Sequence, residues 1–306
     1  MVTTGPPQSV HLIGLGLKKA LGVRWIADFR DPWTEMFYYK HLGLSAAADR
    51  RHRQLEQSVL DGADLIVSVS PPVAADFQAK TQTPVVLITN GFDESDFPAE
   101  ESGSGSAPEK PFTRTGSDVS AAQSDSGAGA AAVPPFRLVH TGLFAADGNP
   151  LNLWDALAER CAADPDFRQR LEIRLAGKVD AAITDAIRAR GLGDNLVELG
   201  YLPHDETVRE QLEADFLLLP LRREPEYTKV LPGKIFEYLA ARRPVLGIGQ
   251  EDGAAAAVLR DAAAGDMFDW DKKQELLAFL DAEHPQTAGI EKYTRRALTA
   301  RLAEVL

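Results

Sequence analysis

Three charged residues directly follow a short apolar run near the start of the chain. In the stretch RWIADFRDPW, Asp28, Arg30 and Asp31 come after the letters WIA, which are typical of a buried strand. Burying charges at the end of a strand is costly unless they are paired or take part in binding. Arg30 can pair with one carboxylate and fix it, which leaves the other to bind a substrate hydroxyl. An internal ion-pair network that holds the loop in place is the alternative interpretation.

A second stretch, LPGKIFEYLAARRPVLGIG, has the pattern of a helix that binds an anion at its start. Pro232 and Gly233 precede the helical pattern, and the first amides of a helix are free to bind phosphate. Lys234 lies in the first turn, where a cation opposes the helix dipole unless an anion lies beside it. Glu237 lies on the same helix face, and its carboxylate suits the two hydroxyls of a ribose. An exposed lysine–glutamate pair is the alternative.

Other candidate binding residues follow apolar segments that are typical of strands. Each residue alone is compatible with a turn or a tight connection. Because ligands of open α/β sheets bind beyond the carboxyl ends of the strands, their joint placement favours a single site along this edge. These residues are Asn90 and Gly91 after PVVLIT, Gly142 after FRLVHT, Lys178 after LEIRLAG, and Tyr201 after LVELG.

The elements that must position these residues alternate between apolar strands and amphipathic helices. This alternation predicts an α/β fold with doubly wound parallel sheets, and it occurs twice, in residues 1–98 and 135–289. Residues 99–134 are mostly Gly, Ser, Ala and Pro, so we predict a disordered linker or loop insertion there. A final helix is predicted for residues 290–306, and a length of 306 residues suits two domains.

The composition narrows the classes of function. A net charge of −12 leaves no basic face for the phosphates of a nucleic acid, so no nucleic-acid partner is expected. The sequence contains no run of about 18 apolar residues, so no membrane-spanning helix is predicted. The start of the chain lacks a signal-peptide pattern, and the default expectation is therefore the cytoplasm. The single cysteine, Cys161, excludes an intramolecular disulfide and a cysteine-rich metal site. We expect neither a metal nor a cofactor.

The sequence resembles the family 4 glycosyltransferases of the GT-B fold. The segments WIADFRDPW, ITNGFDESDF, LVHTGLF, LAGKV, GYLPHDE and PGKIFEYLAARRPVLGIG carry the resemblance and occur in this order. It implies two Rossmann-like domains that face each other across a cleft, with the nucleotide in the second domain and the last helix packed on the first. It also implies a retaining enzyme that moves a sugar from a nucleoside diphosphate sugar to a saccharide or lipid-linked acceptor. Cell-envelope or exopolysaccharide synthesis, in the cytoplasm or at the inner face of the membrane, is the setting it implies.

The resemblance assigns roles to the residues of the second domain. Glu237 matches the second glutamate of the family's Glu-x7-Glu motif, which holds the donor ribose. The first glutamate falls at Lys229, so the motif is broken there, and Glu224 or Glu226 is the candidate replacement. Gly142 matches the glycine of the first loop of the nucleotide domain. The basic pair that usually follows this glycine is missing, so the charge for the diphosphate must come from Lys178, Lys234 or Arg222.

The resemblance also places residues of the first domain at the cleft. Asn90 and Gly91 match an Asn-Gly turn near the cleft, where they join the nucleotide-sugar site. Asp28, Arg30 and Asp31 lie where the family has polar groups that meet the sugar and the acceptor. We therefore assign catalytic roles to these three residues and to Lys234.

Two other functions are compatible with the same residues. One is a non-hydrolysing sugar-nucleotide epimerase on the same fold, and the other is a non-catalytic nucleotide-binding module, which the broken motif favours. The first domain opens within a strand at Met1–Thr4, so we expect it to be incomplete and the chain to transfer sugar weakly. We also expect an exposed sheet edge through which the chain self-associates, or a need for a segment supplied elsewhere.

Overall fold

The computed structural model of the protein describes residues 1–97 and 134–306. The predicted linker, residues 99–134, lies outside these ranges except for its last residue. The described residues form two parallel sheets of four and six strands, each covered by helices. The predicted α/β class with two parallel sheets is confirmed. None of the described helices is long and apolar enough to cross a membrane.

The first sheet has four parallel strands in the order β1-β2-β3-β4. Three helices connect them and cover one face of the sheet, where Trp25, Phe29 and Phe77 are fully buried. Within the described residues β1 has a neighbour on one side only, and self-association through this edge stays a prediction. The elements are β1 (Val2–Gly5), α1 (Val10–Leu21), β2 (Ile26–Phe29), α2 (Ala46–Gly62), β3 (Leu65–Ser68), α3 (Pro71–Lys80) and β4 (Val85–Leu87).

Local sequence signals fix the ends of these helices. Gly22 ends α1 in the left-handed conformation, with a φ of 66°, and its amide donates to the carbonyl of Lys18. The hydroxyl of Ser45 accepts a hydrogen bond from the amide of Ala48 at the start of α2. Ser70 caps α3 in the same way, and the proline that follows it fits the first helical position. Gly22 therefore fixes where the chain leaves α1, and the two serines fix where it enters α2 and α3.

The second sheet has six parallel strands in the order β10-β9-β8-β5-β6-β7. Counted along this part of the chain, the order is 3-2-1-4-5-6 reversed, which is the Rossmann arrangement, and the chain changes direction between β5 and β8. Ligands bind in the crevice at such a switch point. The strands are β5 (Phe136–Thr141), β6 (Leu171–Ala176), β7 (Leu196–Gly200), β8 (Phe216–Pro220), β9 (Val245–Ile248) and β10 (Gly265–Phe268).

Helices cover both faces of the second sheet, and the last helix returns to the first. On that helix, Leu298 packs against Ile26, Leu65 and Val67 of the first sheet, on the face opposite the connecting helices. Arg301 donates to the carbonyl of Leu87, 2.8 Å away. The helices are α4 (Leu151–Ala163), α5 (Pro165–Arg170), α6 (Ala181–Ala189), α7 (His204–Leu212), α8 (Lys234–Ala241), α9 (Ala254–Asp261), α10 (Gln274–Asp281) and α11 (Arg295–Val305).

The final helix and strand β10 differ from the sequence prediction. The final helix begins at Arg295 and not near Ile290, because the hydroxyl of Thr294 caps it by accepting from the amide of Ala297. Strand β10, with the sequence GDMF, is not predicted at all. It has four residues and only one buried side chain, Met267, so it lacks the apolar run typical of a buried strand.

Candidate active site between the two sheets

The carboxyl end of β5 lies at the switch point of the second sheet and faces the start of α8. The chain turns there through Gly142, whose φ of 97° favours glycine. A Cβ atom at this position would lie 3.3 Å from Nζ of Lys234. Nζ donates to the carbonyl oxygen of Leu143 at 3.3 Å and lies 3.4 Å from Nε2 of His140. The Lys234 ammonium therefore lies at the carboxyl end of β5, where a phosphate group is expected.

Burial lowers the pKa of both basic side chains at the end of β5, Lys234 and His140. It lowers the pKa of Lys234 to about 8, and the nearby carboxylate of Glu237 partly offsets this effect. Burial also lowers the pKa of His140 to about 3, with the Lys234 charge acting in the same direction. His140 is therefore neutral at pH 7. Its Nδ1 lies 3.0 Å from the carbonyl oxygen of Leu218, so Nδ1–H donates there and Nε2 is left to accept from Lys234.

Glu237 is held in place from the neighbouring helix. It lies on α8, half-buried, and its Oε2 accepts a hydrogen bond of 3.3 Å from Nε2 of Gln211 on α7. Nε2 of Gln211 also donates to the hydroxyl of Thr141, 3.0 Å away at the end of β5. The carboxylate is thus fixed relative to the switch point, about one helical turn beyond Lys234. An oriented carboxylate at this distance from a phosphate site can accept hydrogen bonds from a ribose.

A cavity of about 220 Å³ lies between the two sheets. Arg30, Asp31 and Asn90 line it from the carboxyl ends of the first sheet, and residues 229–233 line it from the second domain. The last of these residues, Gly233, precedes α8 directly. The cavity therefore connects the charged end of the first sheet with the helix start that carries Lys234.

The three charged residues at the end of β2, of which Asp28 lies within the strand, are placed differently. Nη2 of Arg30 donates to Oδ1 of Asn90, and Nη1 lies 3.7 Å from Oδ1 of Asp28. Burial raises the pKa of Asp28, and Arg30 and Thr4 partly offset this. Asp28 does not line the cavity. Its carboxylate faces Arg30 and not the cleft.

Asp31, in contrast, lines the cavity. Its main-chain carbonyl accepts a hydrogen bond of 2.8 Å from Gln8, which fixes the backbone. Its carboxylate accepts no hydrogen bond from any residue in the described part of the chain. Burial raises the pKa of this carboxyl, and the charge of Arg30 opposes the shift. Asp31 is therefore the carboxylate that is available to a ligand.

Besides Gly142, Lys234 and Glu237, three more residues that the sequence assigns to nucleotide-sugar binding do not line the cavity. Gly91 packs against the C-terminal segment, where a Cβ would lie 2.2 Å from the carbonyl oxygen of Tyr293. This close approach explains why the residue at position 91 is a glycine. Lys178 is exposed and its side chain has no partner in residues 1–97 and 134–306, while the side chain of Tyr201 is 92% exposed. Neither residue lines the cavity.

Lys229, at the position of the missing first glutamate, connects the two domains. Its ammonium forms an ion pair with Asp76 of α3, and its carbonyl oxygen accepts a hydrogen bond of 2.8 Å from the hydroxyl of Ser70. A second ion pair, between Lys40 and Glu226, joins the same loop to the first domain at 3.0 Å. Glu226 is therefore already paired. Lys229 holds the loop against the first domain instead of presenting a carboxylate to a ligand.

Two residues at the switch point are not among those assigned from the sequence. His140 is noticeable in the sequence because it stands with Thr141 and Gly142 at the end of a strand, but the sequence assigns it no role; it is a buried residue of β5. Gln211 lies in a polar helix, where neither its type nor its spacing distinguishes it.

Arg222, a candidate for the diphosphate, is paired with Asp147 at 3.1 Å, and its guanidinium lies 4.9 Å from the ring centre of Phe37.

Comparison with known proteins relates this arrangement to solved structures. No protein-family model matches the sequence, and no curated protein sequence matches it. Sucrose-phosphate synthase from Thermosynechococcus elongatus has a TM-score of 0.61 at 15% identity, over 99% of this chain and 72% of that chain. WaaG, a glycosyltransferase involved in lipopolysaccharide biosynthesis, has a TM-score of 0.55 at 14% identity, over 94% and 72% of the two chains.

A protein with a different reaction has the same fold. The UDP-GlcNAc 2-epimerase from Methanocaldococcus jannaschii has a TM-score of 0.51 at 8% identity, over 99% of this chain and 75% of that chain. At these identities the similarity shows the fold alone. The predicted GT-B architecture, two Rossmann-like domains on either side of a cleft, is confirmed.

Proposed function

We propose that this protein is a retaining glycosyltransferase of the family 4 type, which moves a sugar from a nucleoside diphosphate sugar to an acceptor. The observation that carries the proposal is the convergence at the end of β5. The Lys234 ammonium lies beside Gly142, and the oriented carboxylate of Glu237 lies one turn further along α8. The ammonium suits the diphosphate of a nucleotide, and the carboxylate suits the hydroxyls of the ribose next to it.

The same residues give a mechanism for the transfer. As the bond between the anomeric carbon and the diphosphate oxygen breaks, negative charge grows on the leaving group. Lys234 and the positive end of the α8 dipole stabilise this charge. Across the cavity, Asp31 takes the proton from the acceptor hydroxyl as its oxygen bonds to the anomeric carbon on the face that the diphosphate leaves. Burial raises the pKa of Asp31, which makes it a better proton acceptor than an exposed aspartate.

An epimerase is the second candidate, because a solved epimerase has the same fold. The two functions are separated by incubating the protein with a nucleotide sugar and no acceptor, since only an epimerase changes the sugar. The proposal itself is tested by a thermal-shift screen with UDP, GDP and ADP. The corresponding nucleotide sugars are then incubated with mixed acceptors, and the release of the nucleoside diphosphate is measured. Binding without turnover of any of them would favour the non-catalytic module.

We expect Glu237→Ala to weaken the binding of UDP by about 1.5–3 kcal/mol, because hydrogen bonds to a charged group are lost. Calorimetry on the purified variant measures the effect. Glu206→Ala is the matched control, since Glu206 is an exposed carboxylate on the neighbouring helix α7. Equal affinity of the Glu237 variant and the control would remove Glu237 from the nucleotide site.

The binding of UDP should also depend on pH through Lys234. The protonated lysine binds the diphosphate, and its pKa is about 8 in the free protein. A bound anion raises this pKa, so UDP affinity is greatest below pH 8 and falls as the pH rises above it. Between about pH 7.5 and about pH 9.5 we expect affinity to fall and proton uptake to accompany binding. Calorimetry in two buffers with different ionisation enthalpies measures the uptake, and a pH-independent affinity over this range would contradict the assignment.

A further inference from the structure

A second cavity, of about 110 Å³, lies in the second domain at the amino ends of its strands. Phe136 and Phe216, the first residues of β5 and β8, line it, and residues of α4, α5 and α10 complete the wall. Strand β5 has six residues and is about 20 Å long. The second cavity is therefore separated from the candidate active site by the length of a strand, and the proposed function makes no use of it.

Two arginines in the wall have hydrogen-bond donors that the described residues leave unused. Arg170, the last residue of α5, is half-buried and has no hydrogen-bond or ion-pair partner in residues 1–97 and 134–306. Nη2 of Arg160 pairs with Oδ1 of Asp281 at 2.6 Å, but Nη1 is buried without a hydrogen-bond partner among the same residues. The ring of Phe167, 4.1 Å from the guanidinium carbon of Arg160, gives a cation–π contact but no oxygen acceptor. Because unpaired buried donors are costly, these groups indicate a ligand that accepts hydrogen bonds.

The charge of the wall indicates how much charge this ligand carries. Arg160 and Arg170 contribute two positive charges and Asp281 one negative charge, so a net charge of +1 is left. A monovalent anion neutralises it. A divalent anion such as hydrogen phosphate would leave an excess of negative charge in a partly enclosed site, which has a desolvation cost. The planar fork of a guanidinium also matches the two oxygens of a carboxylate.

The size and the apolar part of the wall limit the rest of the ligand. The three phenylalanines of the wall, Phe136, Phe167 and Phe216, are all buried. They offer carbon contacts next to the arginines. An apolar cavity of roughly 150 Å³ takes a molecule the size of benzene, so about 110 Å³ has room for about four or five non-hydrogen atoms. An aromatic acid or a sugar acid would exceed this volume.

We infer that the second cavity binds a short-chain monocarboxylate the size of acetate or propionate. Its carboxylate pairs with the guanidinium groups of Arg170 and Arg160, and its alkyl part lies against the phenylalanine rings. This site goes beyond the proposed function, since it lies at the other end of the sheet from the groups that hold the nucleotide. It can therefore be tested without any knowledge of the donor or the acceptor.

The test is a calorimetric titration of the full chain with sodium propionate at constant ionic strength. Propionamide is the control ligand, because it has nearly the same shape but no charge. We expect propionate to bind, propionamide not to bind, and sodium phosphate to bind more weakly than propionate. The same titration is made with Lys234→Met, because the ammonium of Lys234 is another group that binds carboxylates. This variant should keep the propionate affinity of the parent protein.

Two variants test the second cavity itself. Arg170→Gln removes one charge and should weaken propionate binding about tenfold or more. Ala282→Leu keeps both arginines but fills part of the cavity, and it should cause a similar loss. Ala282 is exposed, so the larger side chain does not disturb the core. Arg168→Gln is the matched control, since Arg168 is an exposed arginine of the same helix that does not line the cavity. It should keep the affinity within about twofold.

Melting temperatures without ligand show whether each variant is folded. Absence of propionate binding, equal binding of propionamide, or equal propionate affinity in Arg170→Gln and Arg168→Gln would overturn the inference. Tighter binding of phosphate would overturn the assignment to a monocarboxylate. Loss of propionate binding in Lys234→Met but not in Ala282→Leu would place the anion at the end of β5, and the second cavity would then have no ligand of this kind.

Discussion

Replacing Lys234 with methionine should reduce diphosphate release from the nucleotide sugar by about two to three orders of magnitude, because the leaving group loses its charged donor. The affinity for UDP should fall about tenfold or more, since a charge-assisted hydrogen bond is lost from the ground state as well. The loss in turnover exceeds the loss in binding because negative charge on the diphosphate is greatest in the transition state. Methionine keeps the length and the apolar contacts of the lysine stem, so the fold should be retained.

Lys178→Met is the matched control for this experiment. Lys178 follows β6, Lys234 follows the loop after β8, and the sequence makes both of them candidates for the diphosphate. The structure leaves the Lys178 side chain exposed, while Lys234 is held against His140 and Leu143. We expect the Lys178 variant to keep UDP affinity within about twofold. If the Lys178 variant loses binding and the Lys234 variant does not, the phosphate lies on the other side of β5.

The sequence was sufficient to predict the features that depend on local pattern. The alternation of strands and helices indicates the two parallel sheets, and the Pro-Gly start of α8 indicates Lys234 and Glu237 as a pair on one helix. Gly142 is also predicted to lie at a tight connection after this strand, and in the structure its φ there is 97°. Each of these features depends on residues within a few positions of one another, where periodicity and turn chemistry act.

The features that depend on contacts between distant segments could not be predicted. Gly91 is a glycine because Tyr293 approaches it closely, and nothing near Gly91 in the sequence indicates that contact. Lys229 meets Asp76 across the cleft, so the broken motif alone does not show what the lysine does. The difference between Asp28 and Asp31 has the same origin. It depends on which side chain faces the cavity at the end of β2, and the sequence places both simply after an apolar run.

Asp31→Asn should reduce diphosphate release in the presence of an acceptor by about two to four orders of magnitude, because an amide cannot take the proton from the acceptor hydroxyl. The carboxamide has nearly the same shape as the carboxylate, and the main-chain carbonyl of residue 31 still accepts from Gln8. The affinity for UDP should stay within about twofold, since Asp31 lies across the cavity from α8. The assay uses the nucleotide sugar that stabilises the protein most, with mixed acceptors.

Asp28→Asn distinguishes catalysis by Asp31 from a general effect of charge at this loop. Asp28 lies 3.7 Å from Arg30 and outside the cavity wall, so its variant should lose only about tenfold in turnover through a less fixed Arg30. The pH profile gives a second readout. Burial raises the pKa of Asp31, so turnover of the parent protein should rise with pH as this carboxyl loses its proton, and the Asp31 variant should lose that limb. If Asp31→Asn keeps its turnover and both variants only melt at a lower temperature, the three charges form an ion-pair network that fixes the loop, and the proton acceptor lies elsewhere in the cleft.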